Sequence, residues 1–173
     1  MAFTARKTLP AVVFLAIAGL LAHAQQPTFR DPLLDHLAGK WILQGTIQDK
    51  PATHDITAEW VLGHQYLRIH EVDRAKNAGG EPAYQADVYV GWDQKLGQYA
   101  CVWLDTYGSV SPVSIGNAKR EGDQIPFTFR DKDSVFHTTF AFDAKSGTWE
   151  WRMDSEQAGK FKPFLRAKLT RRR

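Results

Sequence analysis

The strongest constraint in this chain is a period of two. From Gly39 to Thr170, apolar and polar residues alternate in short runs, broken only by turn residues. GKWILQGTIQD, HDITAEWVL, QYLRIHEVD, YQADVYVGW and QYACVWLD come first; PVSIGNAKR, QIPFTFR, SVFHTTFAFD, TWEWRMD and FKPFLRAKLT follow. Side chains of a strand point alternately to its two faces, so this pattern reads as about ten half-buried strands with short connections. It predicts an all-β antiparallel up-and-down meander. Closing the meander into a barrel removes its exposed edges.

Turn lengths test this reading, because register decides which residues share a face. A two-residue turn at Gly63-His64 sets Trp60 opposite Leu67, Ala58 opposite Ile69 and Ile56 opposite Glu71, a nearly all-apolar face. The other face then carries Thr57 opposite His70 and Glu59 opposite Arg68, a charge pair suited to solvent. A four-residue loop at 144–147 sets Phe142 against Trp149, Phe140 against Trp151 and Thr138 against Met153. A loop at 131–134 sets Phe129 against Phe136 and Ile125 against Phe140. The Trp92–Tyr99 connection stays open. Four loop residues turn Cys101, Trp103 and Asp105 inward; five turn Ala100, Val102 and Leu104 inward.

Before the strands lies DPLLDHLAG. Asp31 suits an N-cap, Pro32 the first helical position and Gly39 the left-handed position past the end, which predicts a short N-terminal helix. Further upstream, Arg6 and Lys7 precede a fourteen-residue apolar run and Ala22-His23-Ala24. That is a secretory signal pattern over residues 1–24, too short to span a bilayer. It predicts a periplasmic or secreted protein with one domain, residues 25–173, and no membrane span after cleavage.

Removing Arg6 and Lys7 takes the formal charge from +3 to +1, which gives no basis for nucleic-acid binding. The cluster Arg171-Arg172-Arg173 reads as a frayed, solvated tail. Cys101 is the single cysteine, so an intrachain disulfide is excluded and stability must come from the core.

His54, His64 and His70 fall in one stretch, yet parity separates them. His64 sits in the turn, His70 faces out, and His54 lies inward at the far end of its strand. A metal site needs ligands converging on one centre about 2 Å away, so no metal is expected. There is no HExxH, CxxC, GxSxG or phosphate-binding glycine loop. Two acids bear chemistry. Glu71 shares the parity of Trp60, Leu67 and Ile69; it is either buried and paired, or wet near the barrel mouth, the reading we favour. Asp105 faces inward only with the shorter loop, and can instead close its strand into TYGS.

Gly39-Lys40-Trp41, opening the first strand after a short helix, resembles the G-x-W start of lipocalins and related calycins. With AEWVLGHQYLRIHE, VYVGWDQKLGQYACVWLD and the aromatic hairpins, residues 31–170 resemble a family of exported bacterial calycin-like barrels defined only as a domain of unknown function. The resemblance implies a lipocalin-like barrel with a small-ligand pocket, and brings no catalytic residues. Haem-binding nitrobindin-like barrels also have ten strands and a late histidine ligand. Here no histidine follows His137, so no haem or other cofactor is expected.

Ten strands enclose more volume than eight. The expected function is binding of a small apolar or amphipathic molecule, with Trp41, Trp60, Trp149 and Trp151 lining or flooring the pocket and Glu71 as polar anchor. The alternatives are an enzyme using Glu71 or Asp105 as acid or base, and a filled-core interaction module.

Overall fold

The structure is a computed structural model, and it describes residues 28–108, 114–132 and 134–172. The signal pattern at 1–24 lies outside the described residues. Ten antiparallel strands form one closed barrel: β1 (Gly39–Ile47), β2 (Lys50–Val61), β3 (Tyr66–Asp73), β4 (Gln85–Asp93), β5 (Gln98–Asp105), β6 (Ile115–Ala118), β7 (Gln124–Arg130), β8 (Val135–Asp143), β9 (Thr148–Gln157) and β10 (Lys160–Arg171). Each strand pairs with its sequence neighbours, and β1 pairs with β10 to close the ring. Closure leaves no outermost strand, as the alternation predicted.

The hairpin registers follow the hydrophobic pattern. Trp60 faces Leu67, Ala58 faces Ile69 and Ile56 faces Glu71. Phe142 faces Trp149 and Phe140 faces Trp151. Phe129 faces Phe136. The β2–β3 pairing stops at Val61 and Tyr66, so this connection has four residues rather than two, in unchanged register. The open β4–β5 question resolves to four loop residues, with Asp93 opposite Gln98, which buries Cys101.

Loop chemistry explains that choice. Asp93-Gln94-Lys95-Leu96-Gly97 and Asp143-Ala144-Lys145-Ser146-Gly147 are the same device. In each, the aspartate side chain accepts the amide two residues on, at 2.9 Å. In each, the glycine amide returns to the aspartate carbonyl at 2.8 Å. Gly97 and Gly147 have φ of +61° and +63°, a region that costs a side chain but not glycine.

One end of the barrel is stoppered by α1 (Pro32–Leu37). The Asp31 carboxylate caps it, accepting the Leu33 and Leu34 amides at 2.8 and 3.1 Å. Six residues cannot hold a helix in water alone. Leu33, Leu34 and Leu37 anchor it by inserting into the core. The Trp41 indole donates to the Leu37 carbonyl at 2.6 Å, and the Trp60 indole to Asp35 at 2.9 Å.

The arginine cluster corrects the reading of a frayed tail. Arg171 pairs with Trp41 in the β1–β10 ladder. Its guanidinium lies 4.3 Å from the Trp41 ring centroid. It also donates to the Ala38 and His36 carbonyls at 3.0 and 3.1 Å. A cation at a helix C-terminus opposes the dipole and satisfies orphan carbonyls. Arg172 reaches Asp55 at 3.3 Å. Arg173 lies outside the described residues.

Candidate functional site

Among the described residues, the other end of the barrel is open. There the interior widens into a cavity of about 1040 Å³. It begins where the packed aromatics of the lower half stop. Phe127, Phe140, Trp149 and Trp151 fill that half and are fully buried.

Register places two kinds of wall around the cavity. Strands β2 to β5 and the loop before β4 supply polar residues in two stacked rows. The lower row runs Ile56, Glu71, Ala86, Asp105 across four neighbouring strands. Above it, His54 pairs with Asp73, and the Asp73 amide donates to the carbonyl of Tyr84. On the far side of the ring, β8, β9 and β10 present Thr138 opposite Met153 and Met153 opposite Leu165. Phe136 and Phe164 pack edge to face nearer the mouth, with centroids 5.3 Å apart. The cavity is therefore polar on one side and apolar on the other.

His54 and Glu71 are the centre of the polar wall. Both are buried, at 1% and 2% exposure. Diagonal neighbours on one face of an antiparallel pair lie within reach of long side chains. His54 Nδ1 meets the Glu71 carboxylate at 2.6 Å. Its Nε2 faces Asp73 at 3.6 Å. Burial alone would push the His54 pKa down. The hydrogen bond to Glu71 and the charges of Glu71 and Asp73 outweigh it, and the imidazole is held above its ordinary value.

A second polar group adjoins the first. The Trp103 indole donates to the Tyr84 hydroxyl at 3.1 Å, and that hydroxyl donates to Asp105 at 3.4 Å. Burial, then the Glu71 charge, pushes the Tyr84 phenol far up, so it stays a neutral donor. On the opposite wall Thr138 borders the cavity; its hydroxyl oxygen is fully buried and, among the described residues, has no hydrogen-bond partner.

Of the residues expected to bind ligand, Glu71 lines the cavity, and so does Asp105. The four tryptophans lie elsewhere. Trp41 and Trp60 hold the helix at the closed end. Trp149 packs on Phe142, with centroids 5.1 Å apart. Trp151 packs on Phe140 at 4.6 Å and on Trp103, which lines the cavity, at 5.7 Å. Glu71 is also not wet: its carboxylate is buried against His54.

Reading the sequence missed His54, Asp73, Tyr84, Trp103 and Thr138. For His54 a signal was present. It has the inward parity of Ile56, and Ile56 opposite Glu71 puts Glu71 on its diagonal.

The three clustered histidines occupy three separate places. His54 is inside. His64 meets the Phe29 carbonyl at 2.9 Å at the closed end, and His70 meets Asp87 at 3.0 Å on the outer face. Among the described residues, no three His, Cys, Asp or Glu side chains are grouped to hold a metal ion. No helix among them is long and apolar enough to cross a membrane.

No protein-family model matches the chain, and no curated protein matches it. The site's chemistry therefore rests on its own geometry.

Proposed function

We propose that this is an exported, lipocalin-like barrel that binds a small amphipathic molecule in its open half. The observation that carries this reading is the two-sided cavity of about 1040 Å³. Pockets for drug-sized ligands span about 300–1,000 Å³ and combine apolar walls with a few fixed polar groups. Met153, Leu165, Phe136 and Phe164 would take the apolar body; the His54–Glu71 and Tyr84–Asp105 groups would orient the polar end.

Uptake of a neutral fluorescent probe, N-phenyl-1-naphthylamine, tests it. The expected result is saturable one-to-one binding that raises the melting temperature. A folded protein that takes up no probe would sink the reading and favour a filled-core interaction module. Export is supported by the pattern of residues 1–24; protein recovered from the periplasm or medium should begin at Gln25.

A second reading is favoured by the short His54–Glu71 contact. An imidazole oriented by a buried carboxylate can act as an acid or base. This reading requires that a bound molecule be recovered chemically changed, and unchanged from a His54→Gln variant.

A further inference from the structure

The cavity lining is unbalanced in charge. Glu71, Asp73, Asp105 and Asp131 line it, against two permanent cations, Lys50 and Arg74. Both cations are exposed at the rim, and so is Asp131. Arg74 is already engaged, donating to the Asp55 carboxylate at 2.7 and 3.0 Å. Lys50 is the exposed first residue of β2, just past the β1–β2 turn. Inside the barrel, among the described residues, His54 is the single cationisable group on the wall, set against Glu71 and Asp73. Among the described residues, Asp105 accepts from neutral donors, the Tyr84 hydroxyl and the backbone amide of Tyr107.

A wall of this kind favours positive charge. A low-dielectric cavity lined by one sign of charge concentrates the opposite sign. Ala86 stands between Glu71 and Asp105 in their row, so its small side chain leaves space between the two carboxylates. Strand spacing puts them on the order of 10 Å apart, room for a head group between them. Trp103 and Phe129 lie edge to face at the inner wall, with centroids 6.4 Å apart, and offer rings to a cation.

We propose that the cavity selects organic cations: molecules with an apolar body and a protonated amine, the amine seated against Asp73 and Asp105. This deepens the ligand-binding reading and rests on it.

Three matched probes test it. Each carries a dansyl fluorophore on an octyl chain, ending in an ammonium, a hydroxyl or a carboxylate. At neutral pH and fixed ionic strength, the ammonium probe should bind about tenfold or more tighter than the hydroxyl probe, with the carboxylate weakest. Asp73→Asn and Asp105→Asn, singly and together, should erode the ammonium preference, read as the ratio of ammonium-probe to hydroxyl-probe affinity in each folded variant. A hydroxyl or carboxylate probe that matches or outbinds the ammonium probe overturns the proposal. So does an ammonium preference that survives both substitutions in a folded protein. The wild-type ranking decides the matter even if the double variant fails to fold. If no probe binds at all, the ligand-binding reading falls as well.

Discussion

His54 and Thr138 are two residues whose surroundings conflict with ordinary burial. An imidazole is usually driven neutral when buried. Here Glu71 and Asp73 reverse that, and the His54 pKa is raised in the folded state. A raised folded pKa means that the folded protein holds the proton more tightly than the unfolded chain does. The resulting stability is fully present below about 6.5, the unfolded value. It is lost as pH rises through the higher folded value. Glu71→Gln should therefore cost about 1.5–3 kcal/mol in mildly acidic buffer, the range for a hydrogen bond to a charged group. The cost should shrink as the buffer becomes alkaline. Urea unfolding of both proteins across that range checks it; a gap that widens with pH would refute the assignment. Thr138 predicts the opposite sign. Its hydroxyl is buried without a partner, so Thr138→Val should stabilise the empty barrel by about 1 kcal/mol and raise its melting temperature. An unchanged or lowered melting temperature would mean that the hydroxyl is satisfied in solution.

At the scale of elements, the seam between β1 and β10 closes the ring. Gly45 lies in it opposite Ala167. A Cβ at Gly45 would stand 2.0 Å from the Arg166 carbonyl oxygen and 2.6 Å from the Ala167 Cα. Those are backbone atoms, so the strands must part. Gly45→Ala should cost about 1–3 kcal/mol or more, the range for overpacking, and amide exchange should rise first along β1 and β10. Exchange spread evenly over the barrel would argue against a local seam. The strands and their registers were legible in the sequence because a period of two and a short turn leave few alternatives. The β4–β5 register was legible too, had DQKLG been set beside DAKSG. The pocket was less so. Large aromatics mark burial, and Trp149 and Trp151 are buried, but parity cannot say how far along the barrel axis packing ends and space begins. Arg171 misled for a different reason: its partners, Trp41 and the end of α1, meet it only when the ring closes.

Across the whole molecule, the proposed binding function divides the barrel into a half for stability and a half for the ligand. The lower half, from α1 to the Phe140–Trp151 layer, is fully packed; the upper half holds the cavity. Removing a packed aromatic side chain costs about 3–5 kcal/mol, because contacts are lost on every side. Trp149 is in that position, at 0% exposure against Phe142. Trp149→Ala should lower the unfolding free energy by that amount and leave the affinity of N-phenyl-1-naphthylamine close to wild type, provided the protein is assayed well below its melting temperature. Phe136 has neighbours on one side and the cavity on the other, and it remains half-buried. Phe136→Ala should cost less stability, since fewer contacts disappear, yet weaken the probe severalfold. Saturating probe should in turn protect each folded protein by mass action, about 2.7 kcal/mol at a hundredfold excess over Kd. At equal probe concentration, that protection should be smaller for the Phe136 variant than for the Trp149 variant. Chemical unfolding with and without probe measures all of these quantities on the same samples. If Trp149→Ala abolishes uptake while Phe136→Ala leaves it intact, the molecule binds near the helix end, and the open half is only a vestibule.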